Sequence, residues 1–175
     1  MIRLCRSDET ENCLSIINDA AQAYQGVIPP DCWHEPYMVQ EYFLDEVNKG
    51  VVFWGFEEEG ELLGVMGLQE VGEVTLVRHA YVRTAYRNRG IGNQLLTFLL
   101  SKTDRPVLVG TWAAAVWAVR FYEKHGFQKV TEGEKNRLLR KYWSISDRQV
   151  ETSVVLGNFK WFESGQKPGI SSTNK

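Results

Sequence analysis

The chain is short of the features that mark several specialised protein classes. Its three cysteines, Cys5, Cys13 and Cys32, are odd in number, fall in the first fifth of the sequence and form no Cys-x-x-Cys pair, which speaks against a disulfide framework or a cysteine-held zinc ion. Five prolines and fifteen glycines in 175 residues exclude collagen-like and Pro-rich linker organisation. No apolar run approaches the roughly 20 residues of a bilayer-spanning helix, and the opening Met-Ile-Arg-Leu-Cys-Arg-Ser-Asp has no apolar stretch of secretory length. Charge of one sign is missing as well: twenty Lys+Arg stand against twenty-two Asp+Glu, a net charge of -2. No global positive field gathers nucleic acid, and no acidic excess keeps the chain unfolded. The expectation is a cytoplasmic globular protein with a single domain over residues 1–162, no membrane and no nucleic acid as partner, and no metal.

What is present alternates between two periodicities. Ile2 to Cys5 reads as a strand. A helix opens near Ser7 or Asp8, with Leu14, Ile17, Ala21 and Tyr24 on one stripe and acids at its positive end. Residues 25–37 hold three prolines and Gly26, which break any regular helix, while Trp33 and Tyr37 make the loop either a substrate wall or a plug at the edge of the core. A second helix carries Val39, Phe43 and Val47 and ends at Lys49-Gly50. The β-rich runs Val51 to Phe56, Leu62 to Leu68 and Val74 to Val82, divided by Glu58-Glu-Gly60 and Glu70-Val-Gly72, predict an antiparallel meander. A helix with Ile91, Leu95, Phe98 and Leu99 and a buried-type strand Val107 to Trp112 then imply a right-handed crossover and a parallel strand pair. A helix over about Ala115 to His125, a strand Phe127 to Val130 and a last edge or hairpin strand Glu151 to Leu156 follow. Lys135 to Tyr142 reads as a solvated basic face, and residues 163–175 as a flexible tail.

The chemistry concentrates where a strand ends at Tyr81-Val82 and the chain passes Arg83, Arg87 and Arg89 into a helix at Gly90-Ile-Gly92, with no acid between. Glycines allow close backbone approach, the free N–H groups of a first helical turn point at an anion, and arginines add charge-assisted hydrogen bonds. There is no Gly-Lys-Ser/Thr of a nucleotide-binding loop and no Gly-x-Gly-x-x-Gly. Arg87-Asn-Arg-Gly-Ile-Gly92 resembles the Arg/Gln-x-x-Gly-x-Gly/Ala signature of the GNAT superfamily of acyl-CoA-dependent N-acetyltransferases. Phe121-Tyr-Glu-Lys-His-Gly-Phe127 is similar to the superfamily's second hallmark. The two motifs stand in order, with a strand between them.

The resemblance covers residues 1 to 130 and implies an α/β (α+β) fold: a mixed, mostly antiparallel sheet splayed between its fourth and fifth strands, with helices on both faces. It implies acetyl-CoA as cosubstrate, with Tyr81 and Val82 along the pantetheine arm and the pyrophosphate in the 83–92 loop, held by Arg87, Asn88, Arg89, Gly90, Ile91 and Gly92. It places Tyr122 where relatives hold a general acid. The family's usual base positions fall on Arg78 and Leu76, neither of which can serve. His79 is one residue out of register unless a bulge intervenes. Glu73, His34, Glu35 and a water relay stay open. The family's coenzyme-contacting asparagine is replaced by Ala115.

If residues 74, 76, 78, 80 and 82 share one face, Arg78 either grips an acidic group of the acceptor or forms an internal salt bridge. With Trp33 and Tyr37 it makes the candidate substrate site. The expected activity is acetyl transfer to a primary amine of a small molecule, such as an amino acid or dipeptide, by direct attack in a ternary complex. A non-catalytic acyl-CoA sensor and a protein or peptide N-terminal acetyltransferase are the alternatives, and the strand near Val154 is a candidate homodimer edge.

Overall fold

The computed structural model describes residues 1–165. One seven-stranded sheet runs in the order β1-β2-β3-β4-β5-β7-β6, with β1 Ile2–Leu4, β2 Val52–Glu58, β3 Glu61–Val71, β4 Val74–Val82, β5 Val107–Trp112, β6 Gln128–Lys129 and β7 Ser153–Gly157. The helices are α1 Thr10–Ala21, α2 Gln40–Asn48, α3 Ile91–Leu100, α4 Val116–Lys124, α5 Glu132–Tyr142, α6 Asp147–Glu151 and α7 Phe159–Glu163. Every neighbouring pair of strands is antiparallel except β4 and β5. No helix among the described residues is long and apolar enough to cross a membrane.

Alternate residues of the strands feed opposite cores. Val77 and Val109 pack with Ile91, Leu95 and Leu99 of α3 and Tyr122 of α4, whereas Leu76 and Leu108 pack with Leu138 and Leu139 of α5. On that second face, Val65 and Phe53 meet Ile16 and Ile17 of α1 and Phe43 of α2. Helices therefore cover both faces, as the period-2 strands require. The β2–β3 hairpin turns at Glu59 and Gly60, with φ of 50° and 82°, the twist that suits a two-residue connection.

Two irregularities position the site. The β4–β5 pairing runs from Thr75↔Val107 to Val77↔Val109 and stops there, while β5 continues along β7 as far as Trp112↔Ser153. The two strands thus part beyond Val77, opening the splay implied above. In the β3–β4 ladder Gly67 pairs with Arg78 but Val65 pairs with Tyr81, so His79 and Ala80 together stand against Met66. This is a β-bulge, with His79 in the left-handed region at φ 53°.

The bulge corrects the alternation expected along β4. Leu76 and Arg78 face α5 and α2, but Ala80 and Val82 turn to the α3 side and Tyr81 takes the opposite face. Residues 74, 76, 78, 80 and 82 therefore do not share one face. On α2 the inward residues are Phe43 and Glu46, while Val39 and Val47 are 45% and 42% exposed, so the predicted stripe holds only at Phe43. The segment 135–142 is not a solvated face but most of helix α5, with Lys135, Leu138, Leu139 and Tyr142 buried. Lys135 lies along apolar surface and donates through Nζ to the Val150 carbonyl at 2.8 Å. β7 is an interior strand between β5 and β6, not an edge, which removes the expected edge-to-edge contact at Val154. Glu163 closes α7, and residues 166–175 of the expected tail lie outside the described residues.

Candidate active site

Two cavities flank the gap between β4 and β5. The larger, about 800 Å³, lies on the α3–α4 side and is lined by Val82, Arg87, Asn88, Gly90, Gly92, Phe121 and Tyr122 among others. The smaller, about 100 Å³, lies on the α2 side and is lined by Tyr37, Tyr42, Arg78, His79, Thr111 and Trp112 among others. Tyr24 and Tyr81 line both.

The floor of the larger cavity follows from the local sequence. Arg83 begins a 3₁₀ turn over Thr84–Tyr86, and the chain then takes left-handed conformations at Asn88 (φ 62°) and Gly90 (φ 78°) before α3 starts. Gly90 supplies that conformation at the N-cap without steric cost. No side chain among the described residues caps α3, so the first turn of the helix, which lines the cavity at Gly90, Ile91 and Gly92, presents uncapped N–H groups with the positive end of the helix dipole behind them. The arginines hold this loop in place. Arg83 donates to the Leu62 carbonyl at 3.1 Å and Arg87 to the Ala20 carbonyl at 3.0 Å. Arg89 forms a two-bond pair with Glu58 and lies over the Tyr86 ring. The Thr84 N–H is bound by Asp19 at 2.6 Å.

The wall opposite α3 is α4. Tyr122 is 5% exposed, its ring packs against Phe121 and Phe127, and its hydroxyl has no hydrogen-bond partner among the described residues. Burial pushes the phenol above its usual range, with the nearby Tyr24 adding to the shift, so Tyr122 keeps its proton. Ala115 is fully buried ahead of α4 and offers no polar side chain. His125 links α4 to α3 through Asn93.

The smaller cavity is lined with aromatic rings. Tyr24 touches Tyr37, Tyr81 and Trp117, with centroids 5.3, 6.3 and 6.0 Å apart, and Trp33 stacks on Tyr37 at 5.9 Å. The Trp112 indole donates to the Tyr37 hydroxyl at 2.8 Å. The loop carrying Trp33 is clamped to α6 by Arg148, which grips Asp31. Of the residues expected at the acceptor, Tyr37 and Arg78 line this cavity and Trp33 stands behind Tyr37.

Arg78 is held by two acceptors, Oε2 of Glu46 and Oε1 of Gln69, the latter at 2.8 Å. The same Glu46 oxygen meets Nε2 of His79 at 2.6 Å. Phe53 stacks on the His79 ring and Tyr42 meets it edge-on. The other carboxylates and imidazole considered from sequence lie elsewhere. Glu73 sits at the β3–β4 turn with Lys141 and Tyr142, and His34 and Glu35 are exposed. Glu46 was missed by the sequence reading. Its signal was a carboxylate three residues after Phe43, on the apolar side of an amphipathic helix. Among the described residues no three His, Cys, Asp or Glu side chains converge as a metal site requires.

Residues 49–129 match the family described as "Acetyltransferase (GNAT) domain". The chain is 28% identical over 98 residues to N-acetylaspartate synthetase of Xenopus tropicalis, which covers 53% of this chain and 35% of that protein; it thus spans about a third of that relative's length. Among solved structures it resembles a GNAT-family acetyltransferase of Staphylococcus aureus MU50, with TM-score 0.67 and 17% identity over 90% of this chain and 97% of that one. It also resembles the paia N-acetyltransferase of Thermoplasma acidophilum, in complex with coenzyme A, with TM-score 0.66 and 16% identity over 90% and 97%. A third is N-acetylglutamate synthase of Neisseria gonorrhoeae, complexed with coenzyme A and N-acetyl-glutamate, with TM-score 0.62 and 17% identity over 90% and 34%. At these identities the structural likeness establishes the fold.

Proposed function

We propose that this chain, whose residues 49–129 match a GNAT acetyltransferase domain, is a member of that superfamily and moves an acetyl group from acetyl-CoA to the primary amine of a small, amino-acid-like molecule. The observation that carries the proposal is the meeting of a large cavity and a small one at Tyr24 and Tyr81, in the gap between β4 and β5. A long cosubstrate and a small acceptor can then reach each other without passing through bulk water.

The uncapped start of α3 and the backbone of the 87–92 loop are the anion cradle for the pyrophosphate. β4 has no strand beside it past Val77 on its β5 side. That leaves the backbone at Tyr81 and Val82 open for the extended pantetheine arm, which takes the place of a strand. Tyr122 lies in the wall of the same cavity as a buried, protonated phenol. In that state it is a donor for the sulfur that departs as the thioester opens. The attacking amine binds in the smaller cavity, whose volume of about 100 Å³ favours a small acceptor over a protein terminus.

Arg78 is 10% exposed at that cavity with Glu46 and Gln69 already on its guanidinium, and an acceptor carboxylate would share it. The names of two similar proteins, N-acetylaspartate synthetase and N-acetylglutamate synthase, support an amino-acid acceptor. The reaction is proposed to run in the cytoplasm.

The test is release of free CoA thiol from acetyl-CoA against a panel of amino acids, dipeptides, polyamines and aminoglycosides. Saturable turnover with an amino acid or dipeptide is the expected result. Tight acetyl-CoA binding without turnover across the panel would replace transfer with a sensor role.

A further inference from the structure

We propose that His79, oriented by Glu46, is the base that takes the proton from the acceptor ammonium. The inference rests on the acetyl-transfer reading and adds the group that reading lacks. An alkylamine has a pKa near ~10, so at neutral pH it arrives protonated and has no lone pair with which to attack.

Backbone conformation aims the His79 ring. A β strand would turn residue 79 away from Arg78, but the bulge against Met66 puts His79 in the left-handed region and brings its ring to the acceptor cavity. That region is unfavourable for a residue with a side chain, and such strain gathers where a side chain must be aimed.

The second observation is the division of labour between the ring nitrogens. Nε2 lies 2.6 Å from Oε2 of Glu46. A carboxylate accepts and cannot donate, so the ring's single proton in its neutral form sits on Nε2 and the lone pair on Nδ1. Nδ1 has no partner among the described residues, yet no unpartnered side-chain nitrogen or oxygen is fully buried among them; Nδ1 therefore keeps an opening, and the cavity is what the ring lines.

The surroundings favour the neutral, receptive ring. Burial lowers the His79 pKa first of all, Arg78 beside it lowers it further, and Glu46 opposes both. From α2 the ring meets Tyr42 and Glu46, from β4 Arg78, and from β2 the uncharged Phe53. Across the cavity stand Tyr24, Tyr37 and Tyr81. Glu46 is itself held ionised by His79 and Arg78 against its own burial, so it stabilises the imidazolium when that forms.

In the step itself an N–H bond of the ammonium breaks and an Nδ1–H bond forms. The freed lone pair attacks the thioester carbon, a C–N bond forms and the C–S bond breaks. A second proton of the same nitrogen ends on the departing sulfur by way of Tyr122. One proton leaves overall, from His79 to solvent.

The experiment is the pH profile of kcat/KM for the wild type, His79→Gln, Glu46→Gln and Arg78→Met, with the melting shift on adding acetyl-CoA as the check that each folds and binds. His79→Gln is expected to lose roughly 10²-fold or more near neutral pH and to regain rate as the pH climbs toward the amine's own pKa. Glu46→Gln should move the acid limb to lower pH, because it removes the charge that holds the imidazolium. Arg78→Met should move it to higher pH. A salt bridge with only a structural role would move neither limb. If His79→Gln keeps the wild-type rate and profile while the wild type acetylates amines, the base assignment falls and the transfer reading stands. If the wild type turns over no amine, both fall. Should His79→Gln fail to fold, opposite shifts in the other two variants still support the assignment, and unshifted limbs overturn it.

Discussion

The rings of Tyr24 and Tyr81 meet edge-on, centroids 6.3 Å apart at 75°, in the one piece of wall that both cavities share. Tyr24 comes from the 3₁₀ turn Gln22–Tyr24 that follows α1 and Tyr81 from the splayed end of β4, so the partition joins elements far apart in sequence.

Replacing Tyr24 by alanine removes its contacts with Tyr37, Tyr81 and Trp117 and is expected to cost about 3–5 kcal/mol, as buried aromatic truncations do. It should also open the partition to water. The measurement is CoA thiol released per amine acetylated, expected near unity in the wild type and above it in Tyr24→Ala. A ratio that stays at unity means the ring does not separate the two compartments from solvent.

Tyr122→Phe removes the donor while leaving the ring against Phe121 and Phe127. Turnover should fall roughly 10²-fold with the acetyl-CoA melting shift retained. Equal turnover in the two proteins discards the donor role.

Arg87 ties the 83–92 loop to the end of α1 through the Ala20 carbonyl, whereas Arg89 pairs with Glu58 at a half-exposed position. If the Arg87 guanidinium also reaches the pyrophosphate, the alanine variant deprives that anion of a charge-assisted hydrogen bond worth about 1.5–3 kcal/mol. Arg87→Ala should therefore raise the KM for acetyl-CoA by roughly tenfold or more, and Arg89→Ala by less, because exposed pairs contribute little. An acetyl thioester of pantetheine, which carries no phosphate, should not distinguish the variants from the wild type. If it does, the arginines act on the fold and not on the anion.

Acid stability has a definite sign. Glu9 accepts from both the side chain of Arg3 and the backbone of Arg6, and chiefly the Arg3 bond lowers its pKa to about 2. A depressed carboxylate stabilises the fold above its unfolded value, near ~4.3, and that contribution drains away as the pH falls toward about 2. Melting temperature should drop through this window in the wild type. Glu9→Gln should start lower and change less across it; parallel curves would count against the assignment.

Much of the architecture was legible because its signals are local. The hairpin glycines, the switch from period two to the α3 stripe and the glycine-rich α3 start all lie within a few residues of what they specify. α5 was lost for a reason visible in its composition. Lys135, Arg137, Arg140 and Lys141 mask a two-residue apolar contact at Leu138 and Leu139, and Lys135 buries its stem instead of being solvated. The swap of β7 into the sheet interior depends on pairing partners that no stretch of sequence names. The bulge at His79 was stated as a condition but was not readable, because a bulge is set by register between two strands. Glu46 was invisible as a site residue until α2 was laid over β4.

The smaller cavity draws Tyr24, Tyr37, Tyr42 and Trp143 from outside residues 49–129, whereas most residues lining the larger one lie inside that stretch. The protein is therefore modular along its sequence in a way its single sheet conceals. On the proposed reading, changes in the first forty-eight residues and in α5 to β7 reshape the smaller cavity while the larger one stays as it is. A chimera that exchanges those flanks should carry acceptor preference with the flanks.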